Sequence, residues 1–211
     1  MDIVLIYTEN YKKYADITKK SILKHNPDAK IHVINEVSDE LIKDFKGVEN
    51  TLHTSNICYA KLFIQDLLDL DKVLYLDTDL IVLESLEPLY NTSFDGKLFV
   101  GCESHDYGKQ QAKELGIDKY FNSGVMLLDL KGMREQNISD YARKNYKKLV
   151  GKTLWTYDET IINGLFSDKI KFISQEWNCC VNRVYDKPID KPKILHFIGA
   201  DKKGMVEWQK Q

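Results

Sequence analysis

The sequence predicts a single α/β domain with a mostly parallel central sheet flanked by helices. Short apolar runs alternate with helical patterns from the first residue, and no repeat, low-complexity tract or Pro/Gly linker interrupts them. The length of 211 residues is that of one large domain. Apolar residues make up 43% and charged residues 29%, a globular balance that argues against a disordered chain. With 30 Lys+Arg against 32 Asp+Glu the formal net charge is −2, so the basic footprint of a nucleic-acid-binding protein is missing.

The elements follow in order. Ile3–Tyr7 is a continuous β-rich run, the pattern of a strand covered on both faces. Tyr11–His25 has helical spacing, with Tyr14, Ile17, Ser21 and Ile22 on one side and lysines on the other; Asn26-Pro27-Asp28 stops it. Lys30–Asn35 is a second strand, and Ser38–Phe45 a short helix with Ser38 as N-cap. Residues 55–69 read as a longer helix with Ile57, Ala60, Ile64, Leu67 and Leu68 as its buried stripe. Val73–Leu76 is a buried strand that ends in Asp77-Thr78-Asp79, and Leu80–Leu83 is again strand-like. Leu98–Gly101 and Gly124–Leu128 are strands separated by a polar helical segment near Gly108–Leu115. Helices cover Ser139–Leu149 and Asp158–Phe166, and strands Ile170–Ser174 and Ile194–Phe197 close the set.

Location is bounded by what the chain lacks. No apolar run approaches the ~20 residues that cross a bilayer. Met1–Tyr7 has no basic n-region and too short an apolar run for a signal peptide. Cysteines 58, 102, 179 and 180 show no CxxC spacing, and the adjacent pair would bridge only under strain. The expectation is a soluble, reduced, cytoplasmic chain.

In open α/β sheets ligands sit beyond the carboxyl ends of the strands. The sharpest signal there is Asp77-Thr78-Asp79, two carboxylates delivered by a buried strand. With a turn at Thr78 both can serve one hard cation, Mn²⁺ or Mg²⁺. A solvated acidic turn is the bland alternative. An aspartyl-phosphate phosphatase would also place two aspartates after a strand, the first as nucleophile. Against it, Ile81 stands where a small Thr or Val is usual, and no later adjacent acidic pair follows a strand to complete a metal site.

At the far end, Ile194–Lys203 delivers His196, then Gly199 and Lys202. Beside a metal–diphosphate these would be a third ligand, a close backbone approach and a phosphate-neutralising cation; alone, His196 reads as a satisfied core residue. Asp158 and Glu159 open a helix, where acids complement the helix dipole or do chemistry. Phe121-Asn122-Ser123-Gly124-Val125 places polar groups just before a buried strand, for reading a hydroxyl or for a turn. Lys61 falls inside an apolar stripe, where it either snorkels to solvent or needs an anion, with a donor diphosphate and Asp77 as the candidates.

Together these residues resemble the GT-A fold glycosyltransferases of family 8, the group of glycogenin and the bacterial lipopolysaccharide galactosyltransferases. The likeness runs from the first strand to about Trp208. Asn10 and Tyr11 stand at matching nucleoside-binding positions, with Thr8 where an aspartate is common. Tyr59-Ala60-Lys61-Leu62 is similar to the YARL helix, with lysine for arginine, and Phe121–Val125 to the FNAGV segment that contacts the donor sugar. Asp158-Glu159 falls at an Asp-Gln pair, and His196–Lys202 at an HxxGxxK motif.

The resemblance implies one GT-A domain over residues 1–211 with a Rossmann-like sheet, taking a UDP-sugar (UDP-glucose first) and a glycan or glycoprotein acceptor, with retention of configuration. It implies Mn²⁺ or Mg²⁺ on Asp77, Asp79 and His196, and nucleotide contacts from Thr8, Asn10, Tyr11, Asp77, Thr78, Asp79, Gly199 and Lys202. Sugar contacts would come from Lys61, Asn122, Ser123, Asp158 and Glu159, the last two also catalytic, and His105–Ile117 would border the acceptor. Two departures stand out. Glu159 replaces glutamine, and Lys203-Gly204 replaces Pro-Trp with no longer basic tail, which leaves room for the chain to be one domain of a longer enzyme. Catalytic domains of large algal viruses that decorate capsid glycoproteins share this compact form, for which the location would be the host cytoplasm. A sugar-nucleotide-binding module with little transfer activity and a lectin-like module are the non-enzymatic alternatives.

Overall fold

The computed structural model describes residues 1–45, 56–104, 106–149, 157–181, 189–199 and 201–210. The order is β1 (Asp2–Ile6), α1 (Lys12–His25), β2 (Lys30–Ile34), α2 (Asp39–Ile42), α3 (Ile64–Leu67), β3 (Lys72–Leu76), β4 (Leu80–Val82) and α4 (Glu87–Tyr90). It continues with β5 (Phe99–Glu103), α5 (Asp106–Leu115), β6 (Phe121–Asp129), α6 (Leu130–Glu135), α7 (Ile138–Asn145), α8 (Tyr157–Phe166), β7 (Ile170–Ile173), β8 (Cys179–Cys180), β9 (Ile194–His196) and α9 (Lys203–Trp208).

A six-stranded sheet in the order β2-β1-β3-β6-β5-β7 forms the centre. β1 pairs parallel with β2 and β3, and β5 with β7; β6 runs antiparallel to both its neighbours. The mostly parallel expectation is met, and the reversal of β6 has a local cause. Ser104 N donates to Tyr120 O at 2.6 Å, so α5 is an excursion within a hairpin-like connection rather than a crossover. β6 therefore starts where β5 ends, at the carboxyl edge of the parallel strands.

Alternate strand residues enter two apolar layers, which explains the continuous apolar runs. Val4, Val73, Tyr75, Met126 and Leu128 face one layer, with Phe63, Met133 and Ile162. Ile3, Leu5, Leu74, Leu76 and Leu127 face the other, with Ala15, Ile22 and Leu89. Burying each such branched side chain contributes about 1.5–3 kcal/mol relative to leaving it in water.

The helix expected over 55–69 is corrected. Residues 51–55 lie outside the described residues; Asn56–Phe63 is a 3₁₀ helix, followed by the short α3. Tyr59 through Gln65 is buried on all sides, so no amphipathic stripe exists, and Leu67 is 39% exposed rather than buried. Ser38 caps α2 as expected, accepting from Leu41 N at 3.2 Å. The helix expected over Ser139–Leu149 is α7 followed by a 3₁₀ turn, Tyr146–Leu149. The four cysteines are thiols. No helix among the described residues is long and apolar enough to cross a membrane.

A second sheet, β4-β9-β8, was not foreseen. β4 pairs antiparallel with β9 so that Leu80 faces His196, and Cys180 of the two-residue β8 faces His196 from the other side. Buried polar groups of α1, and of Asn26 just past its end, hold β4 and the segment after it in place. Thr18 Oγ1 lies 2.9 and 2.8 Å from Thr78 O and Leu80 O and accepts from Leu80 N at 3.2 Å. Ser21 Oγ accepts from Val82 N at 3.0 Å, and Asn26 Oδ1 from Leu86 N at 2.8 Å.

Candidate active site

Three chain segments meet at the carboxyl edge of β3. Asp77 leaves β3 and donates its N–H to Gly124 O at 2.8 Å, which ties it to β6. After Thr78 the chain turns into β4, and Asp79 O accepts from Phe197 N at 2.9 Å, which registers β9 against the turn. His196 thereby stands opposite both carboxylates. Its Nε2 is 3.6 Å from Asp77 Oδ2 and 3.2 Å from Asp79 Oδ1.

One ligand atom each from Asp77, Asp79 and His196 lies within 4.8 Å of the others. Two carboxylate oxygens and an imidazole nitrogen make a donor set that fits a divalent cation of the Mn²⁺ or Mg²⁺ type. The fit is built in by Gly124. A Cβ there would lie 2.2 Å from His196 Cε1 and 3.0 Å from Asp77 Oδ2, so any side chain would occupy the space in which these ligands converge.

Charge is balanced in buried pairs. Lys61, 7% exposed, does not snorkel: its Nζ lies 2.9 Å from Asp158 Oδ2, 3.1 Å from Asp77 Oδ1 and 3.3 Å from Ser123 Oγ, above the Tyr75 ring. Burial works against its charge, but Asp158 and Asp77 together hold the ammonium well above its usual range. Tyr75 donates its hydroxyl to Asp77 Oδ1. Lys202, buried as well, lies 2.5 Å from Asp79 Oδ2 and donates to Phe197 O. Burial opposes ionisation of Asp79, yet His196 and Lys202 hold its carboxyl well below the usual range. The same Asp79 contact overrides burial at His196 and raises it to about 10.

Asp158 and Glu159 open α8 against the start of β6. Asn122 and Ser123 are strand residues rather than a preceding turn, because α8 side chains satisfy their polar groups. Ser123 Oγ donates to Asp158 Oδ2 at 3.0 Å, while Ser123 N and Asn122 Nδ2 both donate to Glu159 Oε2, at 2.9 and 3.1 Å. Asn163 clamps the two elements, accepting from Phe121 N at 2.7 Å and donating to Phe121 O at 2.8 Å. Glu159 is 6% exposed; burial, more than the Ser123 N–H opposes it, pushes its carboxyl up to about 7.

The remaining expected residues are placed less tightly. Thr8, Asn10 and Tyr11 follow β1 at the same sheet edge, half-buried or exposed, and among the described residues no hydrogen bond or ion pair joins their side chains to the acidic cluster. Gly199 has φ +83°, a left-handed backbone that requires glycine after β9. Of the expected acceptor border, His105 lies outside the described residues, and α5 spans most of the rest. Asn178 was missed altogether. It is 2% exposed, and its Oδ1 lies 2.7 Å from His196 Nδ1. A lone asparagine beside a two-residue strand carries no periodicity that could have flagged it.

The family model described as glycosyl transferase family 8 matches residues 37–203. Glycosyltransferase GlyD of Streptococcus pneumoniae serotype 4 is 29% identical to this chain, over 92% of this chain and 27% of its own length. Among solved structures, the galactosyltransferase LgtC in complex with donor and acceptor sugar analogues superposes with a TM-score of 0.82 at 22% identity, covering 98% of this chain and 94% of that one. A Gln-to-Glu active-site mutant of LgtC gives 0.81 at 23% identity, covering 100% and 95%. At these identities the likeness is one of fold, GT-A. The chain spans 27–63% of the length of the first curated relatives it matches.

Proposed function

The chain belongs to glycosyl transferase family 8, and on that premise we propose that it moves a hexosyl group from a UDP-sugar, UDP-glucose first, to a hydroxyl of a glycan or glycoprotein. Retention of anomeric configuration and dependence on Mn²⁺ or Mg²⁺ are part of the proposal. The observation that carries it is the convergence of Asp77, Asp79 and His196 from distant parts of the chain. A divalent cation held there supplies positive charge for the departing diphosphate.

The chain's own residues do the rest. The Lys202 ammonium, beside Asp79, would neutralise phosphate oxygens, and the Gly199 backbone would allow their close approach. Thr8, Asn10 and Tyr11 seat uracil and ribose at the sheet edge, with the 39% exposed ring of Tyr11 as a stacking face. Lys61 holds Asp77 and Asp158 in fixed orientation, and Asn122 and Ser123 border the sugar. Glu159 faces the anomeric carbon as a carboxylate where the family likeness expects an amide. There it stabilises developing positive charge or acts as nucleophile, and Asp158 orients it. Membership of a glycosyltransferase family leaves the aspartyl-phosphate reading of Asp77 without support.

UDP release from UDP-glucose, measured with and without hydroxyl acceptors, tests the proposal. Acceptor-stimulated release supports transfer. Slow release indifferent to every acceptor points to a nucleotide-sugar-binding module, and glycan binding that ignores both UDP and Mn²⁺ to a lectin. Glu159→Gln should leave donor binding intact and change turnover; unchanged turnover removes Glu159 from the chemistry.

A further inference from the structure

A chain of side-chain amides joins the metal-binding imidazole to the catalytic carboxylate. His196 Nδ1 lies 2.7 Å from Asn178 Oδ1, Asn178 Nδ2 lies 2.6 Å from Asn122 Oδ1, and Asn122 Nδ2 lies 3.1 Å from Glu159 Oε2. His196, Asn178 and Glu159 are 3%, 2% and 6% exposed and Asn122 is half-buried, which shields most of the chain from water. The four groups come from β9, the turn before β8, β6 and α8.

The polarity of the chain follows from one atom that can only donate. Gly124 N–H points at Asn122 Oδ1 at 3.1 Å, which identifies that atom as the amide oxygen. The Asn178 atom facing the same oxygen must then be its NH₂, so the Asn178 oxygen faces the imidazole. His196 must therefore carry hydrogen on Nδ1, and it presents Nε2 to the carboxylates of Asp77 and Asp79. At the other end, the Asn122 NH₂ is forced onto Glu159 Oε2, where it joins the Ser123 N–H. Every link donates in the same direction, an arrangement in which hydrogen bonds polarise one another.

We infer that Asn178 is a positioning residue of the transfer reaction. It fixes the His196 tautomer for cation binding and, through Asn122, sets the metal site and Glu159 in one arrangement. This rests on the metal-dependent reading of the site. Partners of a metal-ligating histidine typically govern its affinity for the ion.

Two substitutions separate the links. Asn178→Ala removes both bonds and should weaken binding of Mn²⁺ alone, measured by the electron paramagnetic resonance of free Mn²⁺, by roughly 10–100-fold. Asn178→Asp is isosteric and still accepts from His196 Nδ1, but it sets an oxygen against Asn122 Oδ1. It should bind Mn²⁺ at least as well as wild type while kcat falls about tenfold with little change in KM for the donor. A merely structural asparagine would not produce that split: both variants would lose thermal stability and activity together, with Mn²⁺ affinity unmoved. Equal Mn²⁺ affinity in wild type and Asn178→Ala, or an unchanged kcat in Asn178→Asp, overturns the inference while leaving the metal site standing. Wild type that binds no Mn²⁺ overturns the metal reading and the inference with it. Should the alanine variant not fold, the aspartate split decides alone.

Discussion

Replacing Glu159 by glutamine should stabilise the fold above neutral pH. The carboxyl is buried, and burial pushes it from 4.5 up to about 7. Between those values the folded chain keeps a proton that the unfolded chain has released. Stability contributed by this group therefore falls as pH rises through the window, and the whole penalty is present above neutrality. The gap corresponds to about 3 kcal/mol, at roughly 1.4 kcal/mol per pKa unit. Glutamine has the same reach, and its amide oxygen can accept the same N–H groups of Ser123 and Asn122 with no charge to bury. Urea unfolding of both proteins at pH 5 and pH 8, in metal-free buffer, isolates the effect because titrating groups remote from Glu159 cancel in the difference. The advantage of Glu159→Gln should be small at pH 5 and approach about 3 kcal/mol at pH 8. A difference that does not change with pH would refute the reasoning, since it would mean that Glu159 ionises alike in both states.

Other perturbations follow from the same geometry. Lys61→Met leaves the half-buried Asp77 and Asp158 without their shared cation and should cost about 1–3 kcal/mol in urea unfolding; a cost near zero would show the carboxylates to be solvated. Gly124→Ala drives a methyl into the His196 ring, so Mn²⁺ binding should be lost while far-ultraviolet circular dichroism is retained. Retained Mn²⁺ affinity in that variant would place the ion elsewhere. Thr18→Val strips the turn after Asp79 of its hydroxyl partner and should cost about 1–3 kcal/mol in denaturant titration, with no loss if solvent replaces it.

Much of this molecule was legible in the sequence, and the limits have physical reasons. Apolar runs such as Val73–Leu76 reveal burial on both faces, and Asp77-Thr78-Asp79 stood out because such a run delivers it. Burial carries no information about direction, so the reversal of β6, which depends on Ser104 meeting Tyr120, was out of reach. Lys61 was legible as an anomaly, but its two partners come from β3 and α8 and only the fold unites them. Asn122 and Ser123 looked like turn residues because their satisfaction by Glu159 and Asp158 is long-range. The stretch from Tyr59 to Gln65 misled because it is buried all round, and an amphipathic template then finds a stripe that does not exist. Thr18 and Ser21 pin β4, and Asn26 the segment after it, through backbone atoms of distant residues, and no spacing rule encodes such contacts.

The decisive measurement is a calorimetric titration of UDP-glucose into wild type, Asp77→Ala and Asp79→Ala, each with Mn²⁺ and with EDTA. Donor affinity should appear in wild type only with Mn²⁺ and should vanish in either variant. Donor binding that persists in EDTA, or survives the loss of Asp77 or Asp79, would mean that these carboxylates and His196 do not grip the diphosphate through a shared cation.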